Sequence, residues 1–88
     1  MLRITAKKEG KKIRVLYLEG KISREWVREL QSEITRGISQ GERIILDFSK
    51  VSFLDDEAAG MINDFPLQKV EKRNCSLFIR TMLGMENR

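Results

Sequence analysis

The sequence predicts a small α/β fold. We expect a mixed β-sheet, built from an N-terminal hairpin followed by parallel strands, with helices packed on one face in the order β-β-α-β-α-β. Three observations point there. Two short β-prone runs flank a charged turn, an amphipathic stretch of helical period follows them, and a third apolar run precedes a second helical pattern. Crossovers through helices of about 15 residues make the later strands parallel and the connections right-handed, which puts both helices on one face.

The hairpin is Leu2 to Ala6 and Ile13 to Leu18, joined by Lys7, Lys8, Glu9, Gly10, Lys11 and Lys12. Charge at the tip solvates the turn and discourages edge-to-edge pairing. Ser23 stands as an N-cap ahead of a stripe formed by Trp26, Val27, Leu30, Ile34 and Ile38, and Gly41 occupies the C-terminal cap region. In Glu42 to Ser49, Ile44, Leu46 and Phe48 point one way and Ile45 and Asp47 the other, as in an interior strand. A short connection, Ser49 to Leu54, is expected to carry Val51 and Phe53 inward. Asp55, Asp56 and Glu57 open the second helix, whose apolar positions Ala58, Met61, Ile62, Phe65 and Val70 are interrupted by a break near Asp64 to Pro66. Asn74 then reads as a left-handed terminator, Cys75 to Thr81 as the last strand with Cys75, Leu77 and Ile79 on one face, and Met82 to Arg88 as a frayed tail.

Composition sets limits on function. With 41% apolar and 34% charged side chains, 88 residues make one domain, 1–88, with a single modest core. There is no histidine, which removes the commonest metal ligand and the usual neutral-pH acid/base group. The lone Cys75 has no disulfide partner within the chain and reads as a buried, inert thiol. The glycines are scattered rather than gathered in a phosphate loop, and no carboxylate or lysine pair has catalytic spacing, so no enzyme activity and no cofactor are expected. No apolar stretch is long enough to span a bilayer, and a soluble, cytoplasmic protein is the expectation. Residues 1–21 hold seven basic and two acidic side chains, a net of +5 within a chain of net +4. Lysines 7, 8, 11 and 12 lack interleaved aromatic residues, so a solvated tip is favoured over nucleic acid, with an acidic protein partner left open.

The run Leu18-Glu19-Gly20-Lys21-Ile22, the strand Ile44-Ile45-Leu46-Asp47-Phe48-Ser49-Lys50-Val51, and Phe53-Leu54-Asp55 at the second helix carry a resemblance over residues 12 to 80. The chain resembles a STAS domain, similar to bacterial anti-sigma-factor antagonists and to the cytoplasmic tails of sulfate transporters. The resemblance implies a non-catalytic protein–protein interaction module concerned with transcription. Its partner would be an anti-sigma factor of the kinase kind or a transporter subunit, with self-association as a further expectation and no membrane insertion. An accessory or assembly subunit unrelated to sigma-factor control is the alternative. The resemblance also implies that the chain is truncated at its C-terminus, leaving open the apolar surface that a further helix would cover.

Where such domains keep a phosphorylatable serine followed by glycine, this sequence has Glu57 and Ala58, and Asp56 replaces a second serine. A phosphoserine carries about −1.5 to −2 charge at pH 7, which Asp56 and Glu57 together approach. Asp55, Asp56, Glu57 and Ala58 are therefore the candidate partner-binding or switch position. Helix capping explains the three carboxylates equally, and an acidic pocket formed with Asp47 is a third reading, with Asp47 itself satisfying backbone N–H groups at its strand end. Ser49 and Ser52 stand as alternative phosphate acceptors, although turn hydrogen bonding accounts for both. Trp26 fits the helix stripe as a packing residue.

Overall fold

Two crossovers organise the chain. β1 (Leu2–Lys8) and β2 (Ile13–Ile22) make the hairpin, α1 (Arg24–Ser39) leads to β3 (Arg43–Leu54), α2 (Asp56–Asn63) leads to β4 (Val70–Arg73), and α3 (Leu77–Met82) follows. The computed structural model describes residues 2–85. The sheet order is β1-β2-β3-β4, with β1 antiparallel to β2 and the other two pairs parallel, so the strands step steadily across the sheet. Right-handed crossovers along such an order leave both connecting helices on one face.

The core lies between that face and the helices. Leu16, Leu18, Ile44, Leu46 and Phe48 meet Leu30 and Ile34 of α1, Ala58, Met61 and Ile62 of α2, and Ile79 and Leu83 at α3, all in one cluster. Each fully buried Leu or Ile contributes about 1.5–3 kcal/mol relative to exposure. Val15 and Ile45, whose side chains alternate to the other face, are buried but stand outside this cluster.

Helix α1 ends as its sequence suggests, with Gly41 at φ +79 directly after the C-cap Gln40 and its amide donating to the Ile38 carbonyl (2.9 Å). Its last turn comes very close to β3. A Cβ on Gly37 would overlap Ile44 Cδ1, so any larger residue here would have to displace that buried side chain. The loop beyond is fixed by the buried Glu42, which accepts from Arg14 Nε (2.6 Å) and pairs with Lys8 Nζ (3.1 Å). The Arg14 bond, opposed by burial and helped by Lys8, holds the Glu42 carboxyl below the ordinary glutamate range.

Several expectations need correction. The strands are longer than their apolar patterns: β2 reaches Ile22, and β3 continues through the supposed connection to Leu54, because two register shifts let Glu19–Ile22 keep pairing with Lys50–Leu54. Such bulges bend a strand and re-aim side chains. Phe53, expected inward, is accordingly 40% exposed, while Val51 is buried. The last strand is Val70–Arg73 and not 75–81, since α2 stops at Asn63 and the amides of Lys69 and Val70 turn back onto the Pro66 carbonyl. Segment 77–82 is helical because Ser76 caps it, accepting from the Ile79 amide (3.2 Å), and because Ile79 and the C-cap Leu83, both buried, are four apart. Asn74 does adopt a left-handed φ of 58, at the end of a strand rather than a helix. Leu83 is buried and Met85 packs against the core, so the tail is held that far, and its last residues, 86–88, lie outside the described part.

Candidate functional site

The start of α2 is built around one carboxylate. Asp55 has extended backbone (φ −92, ψ 174), and its Oδ1 accepts from the Ala58 amide three residues on (2.9 Å), the geometry of an N-cap. Its Oδ2 accepts from the Arg24 amide (2.8 Å), the first residue of α1. Ser23 occupies the N-cap position of α1 but its side chain makes no capping bond, so Asp55 supplies that function from 31 residues away. The Asp55 amide in turn donates to the Ile22 carbonyl (3.1 Å), the last residue of β2. One aspartate thus ties together the starts of two helices and the end of a strand.

With Asp55 occupied, the next residues divide by exposure. Asp56 and Glu57 face solvent, while Ala58 is fully buried against the core. Glu57 Oε1 lies 3.4 Å from Arg24 Nε, a pair whose side chains are 56% and 81% exposed and so of small energetic weight. The helix therefore presents two carboxylates at the positive end of its dipole, on a backbone fixed from beneath. Sequence reasoning did not reach Arg24, since nothing local in residues 23–25 announces a partner 31 positions away.

An apolar patch borders this end of the molecule. The rings of Phe53 and Phe78 stack with centroids 6.0 Å apart, both more than a third exposed, and Leu77 beside them is 74% exposed. Phe53 precedes Asp55 by two residues, so the patch adjoins the acidic helix start.

Asp47 lies elsewhere, on the helix-free face of the sheet. It accepts from the Ser49 amide (2.9 Å), from Arg73 Nε (3.1 Å) and from Asn74 Nδ2 (3.0 Å). Burial alone would raise its carboxyl, but the Ser49 amide and hydroxyl, Arg73 and Asn74 outweigh burial and hold it at about 2. It does accept a backbone N–H, as expected, but in the middle of β3 rather than at a strand end, and two long-range donors join it. Arg73 also donates to the Tyr17 hydroxyl (3.3 Å), and Lys7 and Arg73 both stand within 6 Å of the Tyr17 ring centre, at 5.9 and 5.8 Å. No group of three or more acidic or cysteine side chains gathers as a metal site among the described residues. Ser52 Oγ donates to the Gly20 carbonyl at 3.4 Å, a long bond on an exposed residue. Cys75 is half-buried, and burial pushes its thiol up against the opposing pull of Arg80 and Lys72. Trp26 is partly buried and packs on the core, with its indole N–H unpartnered.

Comparison with known proteins identifies the family and the fold. The STAS domain family profile matches residues 5–85. The chain belongs to the STAS domain family. A search of curated protein sequences finds no match. Among solved structures, the chain is similar to the anti-sigma factor antagonist SpoIIAA in its unphosphorylated form, with a TM-score of 0.73 at 20% identity over 94% of this chain and 79% of that one. It is also similar to an antisigma-factor antagonist STAS domain from Rhodobacter sphaeroides, with a TM-score of 0.62 at 14% identity, covering 89% of this chain and 95% of that one. These likenesses establish the STAS fold, with its mixed four-stranded sheet. Among the described residues no helix is long and apolar enough to cross a membrane.

Proposed function

We propose that this STAS domain is a non-catalytic protein-interaction module of the anti-sigma-factor-antagonist kind, acting on transcription in the bacterial cytoplasm, and that its partner surface is the start of α2. The observation that carries the reading is the division of labour there. Asp55 locks the backbone, leaving Asp56 and Glu57 exposed on a rigid platform with no hydroxyl at either position. The docking surface thus holds permanent negative charge where an antagonist regulated by phosphorylation would gain and lose it. The partner is an anti-sigma factor of the kinase type.

Two measurements test this. Incubation with ATP and the anti-sigma kinases of the source cell, followed by intact-mass analysis, should leave residues 49–57 unmodified, and phosphate on Ser49 or Ser52 would overturn the permanent-charge reading. Asp56→Ser and Glu57→Ser should each change the affinity for the cognate kinase, and unaltered binding excludes this face.

The exposed Phe53, Phe78 and Leu77 support a second reading, an accessory or assembly subunit in which a transporter subunit or a second copy covers that patch. A strict monomer in sedimentation at high micromolar concentration would exclude the second copy.

A further inference from the structure

The sheet has two edges, and the chain treats them differently. β4 has four residues, and its side chains are engaged: Glu71 with Arg43 (3.0 Å), Lys72 with Asn63 (3.2 Å) and Arg73 with Asp47 (3.1 Å). β1 has seven residues and pairs with β2 along its whole length, from Leu2↔Gly20 to Lys8↔Arg14. On its outer side the described residues supply no hydrogen-bonding partner to its backbone. Every second residue of such an edge turns its N–H and C=O outward, a template for one more strand.

What that strand must be follows from the side chains. Arg3, Thr5 and Lys7 are exposed on the helix-free face, alternating with buried Leu2 and partly buried Ile4 on the helix side. Among the described residues Arg3, Lys11 and Lys12 form no ion pair, whereas Lys8 is held by Glu42. Pairing of β1 with a second copy in the register that uses all seven residues would set Arg3 opposite Lys7 twice, and like charges directly opposite repel. In that register the edge repels a second copy, and Arg3 and Lys7 favour negative charge in an added strand. An added strand meets Arg3 and Lys7 with acidic residues four apart, meets Thr5 with a residue between them, and meets Leu2, Ile4 and Ala6 with apolar residues at the alternate positions.

We infer that β1 is a docking edge for an extended acidic segment of a protein partner, which adds to the sheet as a fifth strand. A peptide fits this edge because the alternating backbone groups need peptide partners, and the exposed side chains of β1 include no aromatic ring on which a nucleobase would stack. The edge is separate from the start of α2, so the inference stands whether or not that surface binds an anti-sigma factor.

The test uses the full chain, labelled with ¹⁵N, and the capped peptide Val-Glu-Val-Thr-Val-Glu-Val, whose pattern reads the same in both directions. Saturable shifts of the amide signals of residues 2–8 are expected, with about tenfold weaker binding of the peptide in which Lys replaces both Glu. The double variant Arg3→Gln, Lys7→Gln, which removes both charges at exposed positions without setting a like charge opposite Glu19 of β2, should abolish that preference while keeping the wild-type spectrum elsewhere. Absence of shifts at millimolar peptide, shifts centred away from β1, or equal binding of the two peptides would overturn the inference. So would the same pattern of shifts with a single-stranded oligonucleotide or phosphatidylglycerol vesicles, since these offer charge without a strand.

Discussion

Asp47, in the middle of β3, and Asp55, directly after its last residue, are both aspartates, yet the fold uses them in opposite ways. Asp47 is 4% exposed and surrounded by donors from two residues along its own strand and from the end of β4, so its charge is consumed inside the molecule. Asp55 is consumed as well, by the Ala58 and Arg24 amides, but its two followers are left in solvent. The difference teaches that an acidic run at a helix start is not one feature. The first residue is architecture, and the second and third are surface.

Substitutions can break this distinction, and the largest effect is expected at Asp47. Asp47→Ala leaves the Ser49 amide, Asn74 and the Arg73 guanidinium without their shared acceptor, and should lower unfolding stability by about 3 kcal/mol in urea titrations. Titrating the same group gives a somewhat smaller effect. Its folded carboxyl lies at about 2, below the unfolded value of about 3.9, so its contribution is full above about pH 4 and is lost as pH falls through 2, a change of about 2.5 kcal/mol. Asp47→Asn should flatten that part of the stability profile, and an unchanged acid limb would show that other carboxylates govern it. Asp55→Ala removes caps from two helices and should cost about 1–2 kcal/mol, read as a drop in melting temperature. At the small end, Asp56→Ser and Glu57→Ser should alter stability by no more than about 0.5 kcal/mol. A larger loss would mean that these side chains, too, are structural.

Much of the fold was legible because it rests on long periodic signals. Residues 24–38 show a clear helical stripe, and Ile44, Leu46 and Phe48 alternate cleanly, so α1 and the heart of β3 follow from the sequence. Val70–Arg73 was not legible, since four residues with one apolar side chain carry no period of their own, and only pairing with Ile44–Asp47 makes them a strand. The alternation of Cys75, Leu77 and Ile79 imitated a strand, while the decisive signal was Ser76 ahead of the Ile79 and Leu83 spacing. At the site, the capping role of Asp55 could be read from its position before a helical run. Its bond to Arg24 could not, because that contact depends on how β2 and β3 end beside each other. Phe53 was misread for a related reason: a bulge shifts the alternation by one residue, and nothing in a single sequence counts the extra residue.

Gly37 shows how far helix preference and fold can part company. At an open position inside a helix, exchanging glycine for alanine raises helical propensity by about 1 kcal/mol. Here Ile44, itself fully buried, stands where the new methyl would go, so the exchange should lower the melting temperature instead of raising it. A sequence redesigned for the best α1 in isolation would therefore choose wrongly at this position. The clearance between one helical turn and one isoleucine methyl acts as a gauge, setting how near α1 lies to the sheet.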